Sequence, residues 1–207
     1  MTAAPLALGV LVSGRGTNLM AIHAAITRGE LPARIVLVGS NRPEAPAVAW
    51  ARAQGLPVGV FPRTAYASRA EAQAALARAL QEAGAELVVM AGWDQVLTPA
   101  FVAAFEERLM NIHPSLLPAF AGTMHAVEDA LAWGVKVTGC TVHYVTPEVD
   151  AGPIILQAAV PVAEDDTPDS LLARIHEQEH QLLPRAIALH AAGRLRIEGR
   201  RVRILDA

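Results

Sequence analysis

The sequence has a single cysteine, Cys140, in 207 residues. That excludes an internal disulfide and a cysteine-based zinc cage, and leaves Cys140 as a small residue suited to a core. Neither charge is in excess. Seventeen Lys and Arg against 20 Asp and Glu give a formal net charge of −3, so there is no electrostatic case for nucleic acid. No apolar run reaches the roughly 18 residues a membrane span needs. The N-terminus has no charged segment leading into a long apolar stretch and a cleavage site. Repeats, low-complexity tracts and linkers are missing as well. The expectation is a cytoplasmic protein with no membrane or nucleic-acid partner.

What the chain does have is apolar material. Hydrophobic residues make up 53% and charged ones 18%, and much of the apolar share is alanine, which suits helices covering a core. Strands are expected at Leu6–Val12, 34–39, 58–61, 86–90 and Leu109–His113. Helices alternate with them: one carrying Leu19, Ile22 and Ile26, one over 45–54, one capped by Ser68 and Glu71, and a short one opened by Thr98-Pro99. This alternation predicts βαβ units and an α/β, Rossmann-like three-layer sandwich with a mostly parallel sheet. Beyond the loop at 118–122 the pattern changes. It gives a helix near 125–133, strands at 136–146 and Ile154–Pro161, a long helix over 167–192 kinked by Pro184, and a hairpin over 194–205.

Chemistry concentrates in Leu109–His113. In an extended strand Asn111 and His113 point to one face, and Pro114 stiffens the backbone beside the imidazole. An amide donor next to a histidine suits stabilisation of an oxyanion and movement of a proton. A histidine at a strand end is also often structural. Asp150 lies in a Gly/Pro-rich loop after a strand, where it would favour the imidazolium form of His113 and orient its ring. Asp-Ala-Gly-Pro is equally good turn chemistry.

The Gly-rich turn at 13–18, between the first strand and first helix, suits a phosphate, or simply a tight turn. It is not a dinucleotide fingerprint, because the third glycine falls on Leu19 and the second strand ends without an acid. His176-Glu177-Gln178-Glu179-His180 spells the zinc motif H-E-x-x-H, with Glu198 as a conceivable third ligand. Pro184 and the hairpin position of Glu198 argue against it, and no metal is expected. His23, His180 and His190 read as solvated helix residues, His125 and His143 as core histidines.

Ser-Gly-Arg-Gly-Thr-Asn at 13–18, Met-Ala-Gly at 90–92, Asn-Ile-His-Pro-Ser-Leu-Leu-Pro at 111–118 and His-Tyr-Val-Thr-Pro-Glu-Val-Asp-Ala-Gly-Pro at 143–153 occur in that order. Together they resemble the phosphoribosylglycinamide formyltransferases, folate-dependent enzymes of purine biosynthesis, over nearly the whole chain. The resemblance implies a formyltransferase-like fold in a single domain, 1–207, with a phosphate-binding half at 1–100 and a catalytic and folate-binding half at 101–207. It implies transfer of the formyl group of 10-formyltetrahydrofolate, a co-substrate, to the amine of glycinamide ribonucleotide. Asn111, His113 and Asp150 would be catalytic. Arg69, Asp94, Gln95, Val96, Leu97, Asn111, Thr146, Pro147, Glu148, Val149 and Asp150 would contact folate. Gly16, Thr17, Asn18 and Glu179 would hold the ribonucleotide, in a monomer or homodimer. The family commonly has Met-Arg where this chain has Asp94-Gln95. That swap removes a cation near the anionic folate tail and adds a carboxylate that would repel it. The alternatives are a formyltetrahydrofolate hydrolase, which would normally carry a further N-terminal domain, a zinc peptidase, and a non-catalytic phosphate-binding module.

Overall fold

The computed structural model describes residues 4–206. The chain divides into two compact units, one up to Met110 and one from Asn111 onward.

In the first unit, short apolar runs closed by turn residues become strands. These are β1 (Leu6–Val12), β2 (Ala33–Ser40), β3 (Val58–Val60) and β4 (Leu87–Met90). Their order is β3-β2-β1-β4, and every pairing is parallel. The carboxyl ends of these strands therefore share one edge, and the direction of winding reverses between β1 and β4. Ligands of open α/β sheets bind at such a reversal. Four helices connect the strands: α1 (Thr17–Thr27), α2 (Pro46–Ala53), α3 (Arg69–Glu82) and α4 (Pro99–Ala104). Ser68 caps α3 by accepting the Glu71 N–H at 3.1 Å. The Glu71 carboxylate reaches back to the Ala67 N–H at 3.2 Å, one residue beyond the expected box.

The second unit carries β5 (Leu109–His113) from Asn111 onward, then α5 (Ala126–Trp133), β6 (Val137–Tyr144), β7 (Ile154–Pro161), α6 (Pro168–Ala191), β8 (Leu195–Glu198) and β9 (Arg201–Ile204). Its strand order is β5-β6-β7-β9-β8. β6 and β7 pair antiparallel, as do β8 and β9, while β7 meets β9 in parallel through Ile154 and Arg201. Thr167 and Ser170 cap α6 reciprocally. The helix runs unbroken past Pro184, with Leu171, Ile175, Leu182, Leu183, Ala186 and Ile187 buried on both sides of the proline. Burial of that continuous apolar face outweighs the missing N–H. Among the described residues no helix is long and apolar enough to cross a membrane.

The tightest strand contact is at Gly139 of β6, where an added Cβ would lie 1.9 Å from the Ala158 carbonyl oxygen. That neighbour is backbone, so it cannot rotate away. Gly139→Ala should lower unfolding free energy by roughly 1–3 kcal/mol in a denaturant titration. A midpoint equal to the parent's would contradict the packing described.

Candidate active site

At the end of β5, His113 is buried with an acceptor at each ring nitrogen. Its Nε2 lies 2.9 Å from the Phe120 carbonyl oxygen, and its Nδ1 lies 3.5 Å from Asp150 Oδ2. A carbonyl can only accept, so Nε2 carries a proton. Only the doubly protonated ring offers a donor to both neighbours. Asp150 Oδ2 also accepts the Gly122 N–H at 2.8 Å.

Phe120 and Asp150 both have left-handed backbone, with φ of 55° and 52°. Asp adopts this conformation with little penalty, but a bulky aromatic is a true outlier there. Ser115 helps hold the Phe120 turn by donating to the Ala119 carbonyl at 2.6 Å. Gly152 does the same for the Asp150 loop. An added Cβ there would sit 1.7 Å from the Tyr144 carbonyl oxygen, so only glycine lets this loop cross the end of β6 and return Asp150 to the histidines.

His143 is the residue that sequence reasoning left in the core without a role. It is buried on β6, and its Nδ1 donates to the Tyr144 carbonyl at 2.9 Å. Burial pushes its pKa below the ordinary 6.5, so the ring is neutral at neutral pH and Nε2 is a bare acceptor. That nitrogen lies 3.2 Å from Asn111 Nδ2 and fixes which way the amide faces. Its 3.7 Å separation from Asp150 Oδ1 is then a close approach and not an ion pair, because a neutral ring brings no charge. The sequence signal was a histidine inside a strand that mixes apolar residues with threonines, which says nothing of a partner 32 residues away. Asn111 bonded to His143, and His113 beside Asp150, thus lie together in the second unit, with His143 and Asp150 in close approach and not bonded.

The remaining residues singled out from sequence fall as follows. Pro147, Glu148 and Val149 present exposed side chains on the Asp150 loop, and Thr146 Oγ1 braces that loop by donating to the Glu148 carbonyl at 3.2 Å. Glu179 is buried on α6, 3.9 Å from His176, while Glu177, the base of the supposed zinc motif, is exposed. His176 and His180 stack with centroids 5.9 Å apart. Among the described residues no three His, Cys, Asp or Glu side chains converge as a metal's donor set would. The other histidines differ from expectation. His125 is exposed, His180 is partly buried and pushed down in pKa by that burial, and His190 bonds the Tyr144 hydroxyl at 2.8 Å.

In the first unit, Gly16 opens α1 with φ of 76°, and an added Cβ would lie 2.5 Å from that of Ala47. Gly16, the N-cap of α1, supplies no side-chain cap. Arg69 begins α3 and is exposed. Asp94 is not the lone repelling charge expected. It accepts from Asn41 Nδ2 at 2.7 Å and pairs with the Arg42 guanidinium.

The parallel sheet of the first unit, and in the second a buried histidine beside a carboxylate, have the character of an α/β enzyme. Residues 7–187 match the Formyl transferase family, and the chain belongs to it. It is 40% identical over 191 residues to the phosphoribosylglycinamide formyltransferase of Haemophilus influenzae, covering 92% of this chain and 90% of that one. It is 43% identical over 190 residues to the trifunctional purine biosynthetic protein adenosine-3 of Gallus gallus, of which it spans only 19%. The crystal structure of glycinamide ribonucleotide transformylase 1 from Symbiobacterium toebii superposes with a TM-score of 0.96 at 50% identity, covering 99% of this chain and 96% of that one.

Two outcomes follow from the titrating groups. The native His143 pKa lies below its unfolded value, so the unfolded chain binds the extra proton and stability falls as pH drops below about 6.5. His143→Gln should flatten the slope of melting temperature between pH 7 and 5, and an unchanged slope would contradict a neutral buried ring. Burial, reinforced by Glu179, pushes the Cys140 thiol up to about 12. A maleimide should therefore label Cys140 only in denaturant.

Proposed function

We propose that this protein transfers the formyl group of 10-formyltetrahydrofolate to the amine of 5'-phosphoribosylglycinamide, in the cytoplasm, as a monomer or homodimer and without a metal. The reaction is acyl transfer. The amine lone pair attacks the formyl carbon, the carbonyl π electrons move to oxygen, and the bond to N10 then breaks as N10 takes a proton. Asn111 has one N–H held by His143 and a second to offer the formyl oxygen. His113 supplies the acidic proton, and Asp150 holds the ring and steers the amine proton towards N10. In the structure the His113 Nε2 proton is given to the Phe120 carbonyl. Stabilising an oxyanion with it exchanges one acceptor for another.

The ribonucleotide phosphate is assigned to Gly16, Thr17 and Asn18, with Glu179 towards the nucleotide. The folate is assigned to Arg69, to the loop carrying Asp94, Gln95, Val96 and Leu97, to Asn111, and to Thr146 through Asp150. The observation that carries the reading is the grouping of Asn111, His143, Asp150 and His113 in a chain of the Formyl transferase family.

A spectrophotometric assay of tetrahydrofolate release from a 10-formyl-folate analogue tests it. Release should require the ribonucleotide. Asn111→Ala and His113→Ala should each lower the rate by about 10²–10³-fold, and Asp150→Asn, which keeps the Gly122 contact, by about 10²-fold or more. Release that ignores the ribonucleotide would overturn the transferase reading in favour of water as acceptor.

A further inference from the structure

Ser13, Asn41 and Asp94 form a closed ring of hydrogen bonds at the carboxyl edge of the first unit's sheet. Ser13 Oγ donates to Asn41 Oδ1 at 2.7 Å. Asn41 Nδ2 donates to Asp94 Oδ1 at 2.7 Å. The Asp94 N–H donates back to Ser13 Oγ at 3.1 Å. The ring joins the residues that follow β1, β2 and β4, and so spans the reversal between β1 and β4. Ser13 and Asn41 are buried. Each hydroxyl, amide and carboxylate in the ring orients the next, the arrangement in which a polar network acts as a unit. Arg42 takes the second Asp94 oxygen. On the other flank of the same loop, buried Gln73 of α3 donates to the Val96 carbonyl at 3.0 Å and accepts the Thr98 N–H at 2.7 Å.

We infer that the Asp94 carboxylate is a positioning group and not a folate contact: it fastens the loop from Asp94 to Leu97 to Asn41 and Arg42 beyond β2, and through Asn41 to the Ser13 that begins the phosphate turn. Both of its oxygens are spent inside the protein, and its charge is matched by Arg42. What the loop has left to offer a ligand is its remaining backbone groups, the half-exposed Gln95 and the exposed Val96. This inference rests on the proposed role of the loop in folate binding.

The test compares Asp94→Ala, Asp94→Asn and the Asp94→Ala/Arg42→Ala pair in the whole chain, reading amide hydrogen exchange over residues 91–98 and steady-state kinetics. Asp94→Ala should speed exchange in this segment and raise the KM for 10-formyltetrahydrofolate about tenfold or more, with a much smaller fall in kcat. Asp94→Asn keeps an oxygen for Asn41 and should restore both readouts to within about threefold of the parent. It also covers the case in which the alanine variant does not fold. Removing Arg42 as well should add little to Asp94→Ala, because the two share one interaction. A raised KM with unchanged exchange would make Asp94 a direct folate contact and overturn the inference, as would parental values for both readouts. If the parent protein transfers no formyl group, the proposed function fails, and the exchange of the ligand-free variants still decides whether the anchor exists.

Discussion

Everything in the second unit's candidate site depends on where one carboxylate is held. Asp150 sits between two buried histidines, one oxygen towards each, and a backbone N–H from the Phe120 turn fixes one of those oxygens. A buried carboxylate without such partners would be costly. The left-handed backbone at 150, the cradle at Gly152 and the turn ending at Gly122 all meet that one requirement. They bring two loops from distant parts of the sequence onto a single side chain.

The two histidines show how environment separates identical groups. His143 is sealed against a carbonyl on one side and an amide donor on the other, so it is a fixed neutral acceptor. His113 faces two acceptors, the Phe120 carbonyl and Asp150. A single strand position decides which it is, since β5 ends at His113 beside two loops while β6 carries His143 within the sheet. Assigning acid and orienting roles from such contrasts is more secure than counting histidines near a cleft.

Much of the architecture was legible in the chain. β1, β5 and β7 have the bounds read from their apolar runs, because each run is closed by residues that turn the chain. The failures share a cause. The role of His143 depends on Asn111, and the behaviour of Asp94 on Arg42, 52 residues away. Local propensity contains none of these contacts. Asn111, His113 and Asp150, singled out from the sequence, lie close together in the structure, whereas Asp94, read as a free repelling charge, is paired. A charge is read from sequence as free until its partner is seen.

The Phe120 carbonyl carries a consequence for how this site tolerates change. The atom that takes the His113 Nε2 proton belongs to the main chain, so no side-chain replacement at 120 removes it. Substitution there reaches the imidazole only by relaxing the left-handed turn that aims the carbonyl.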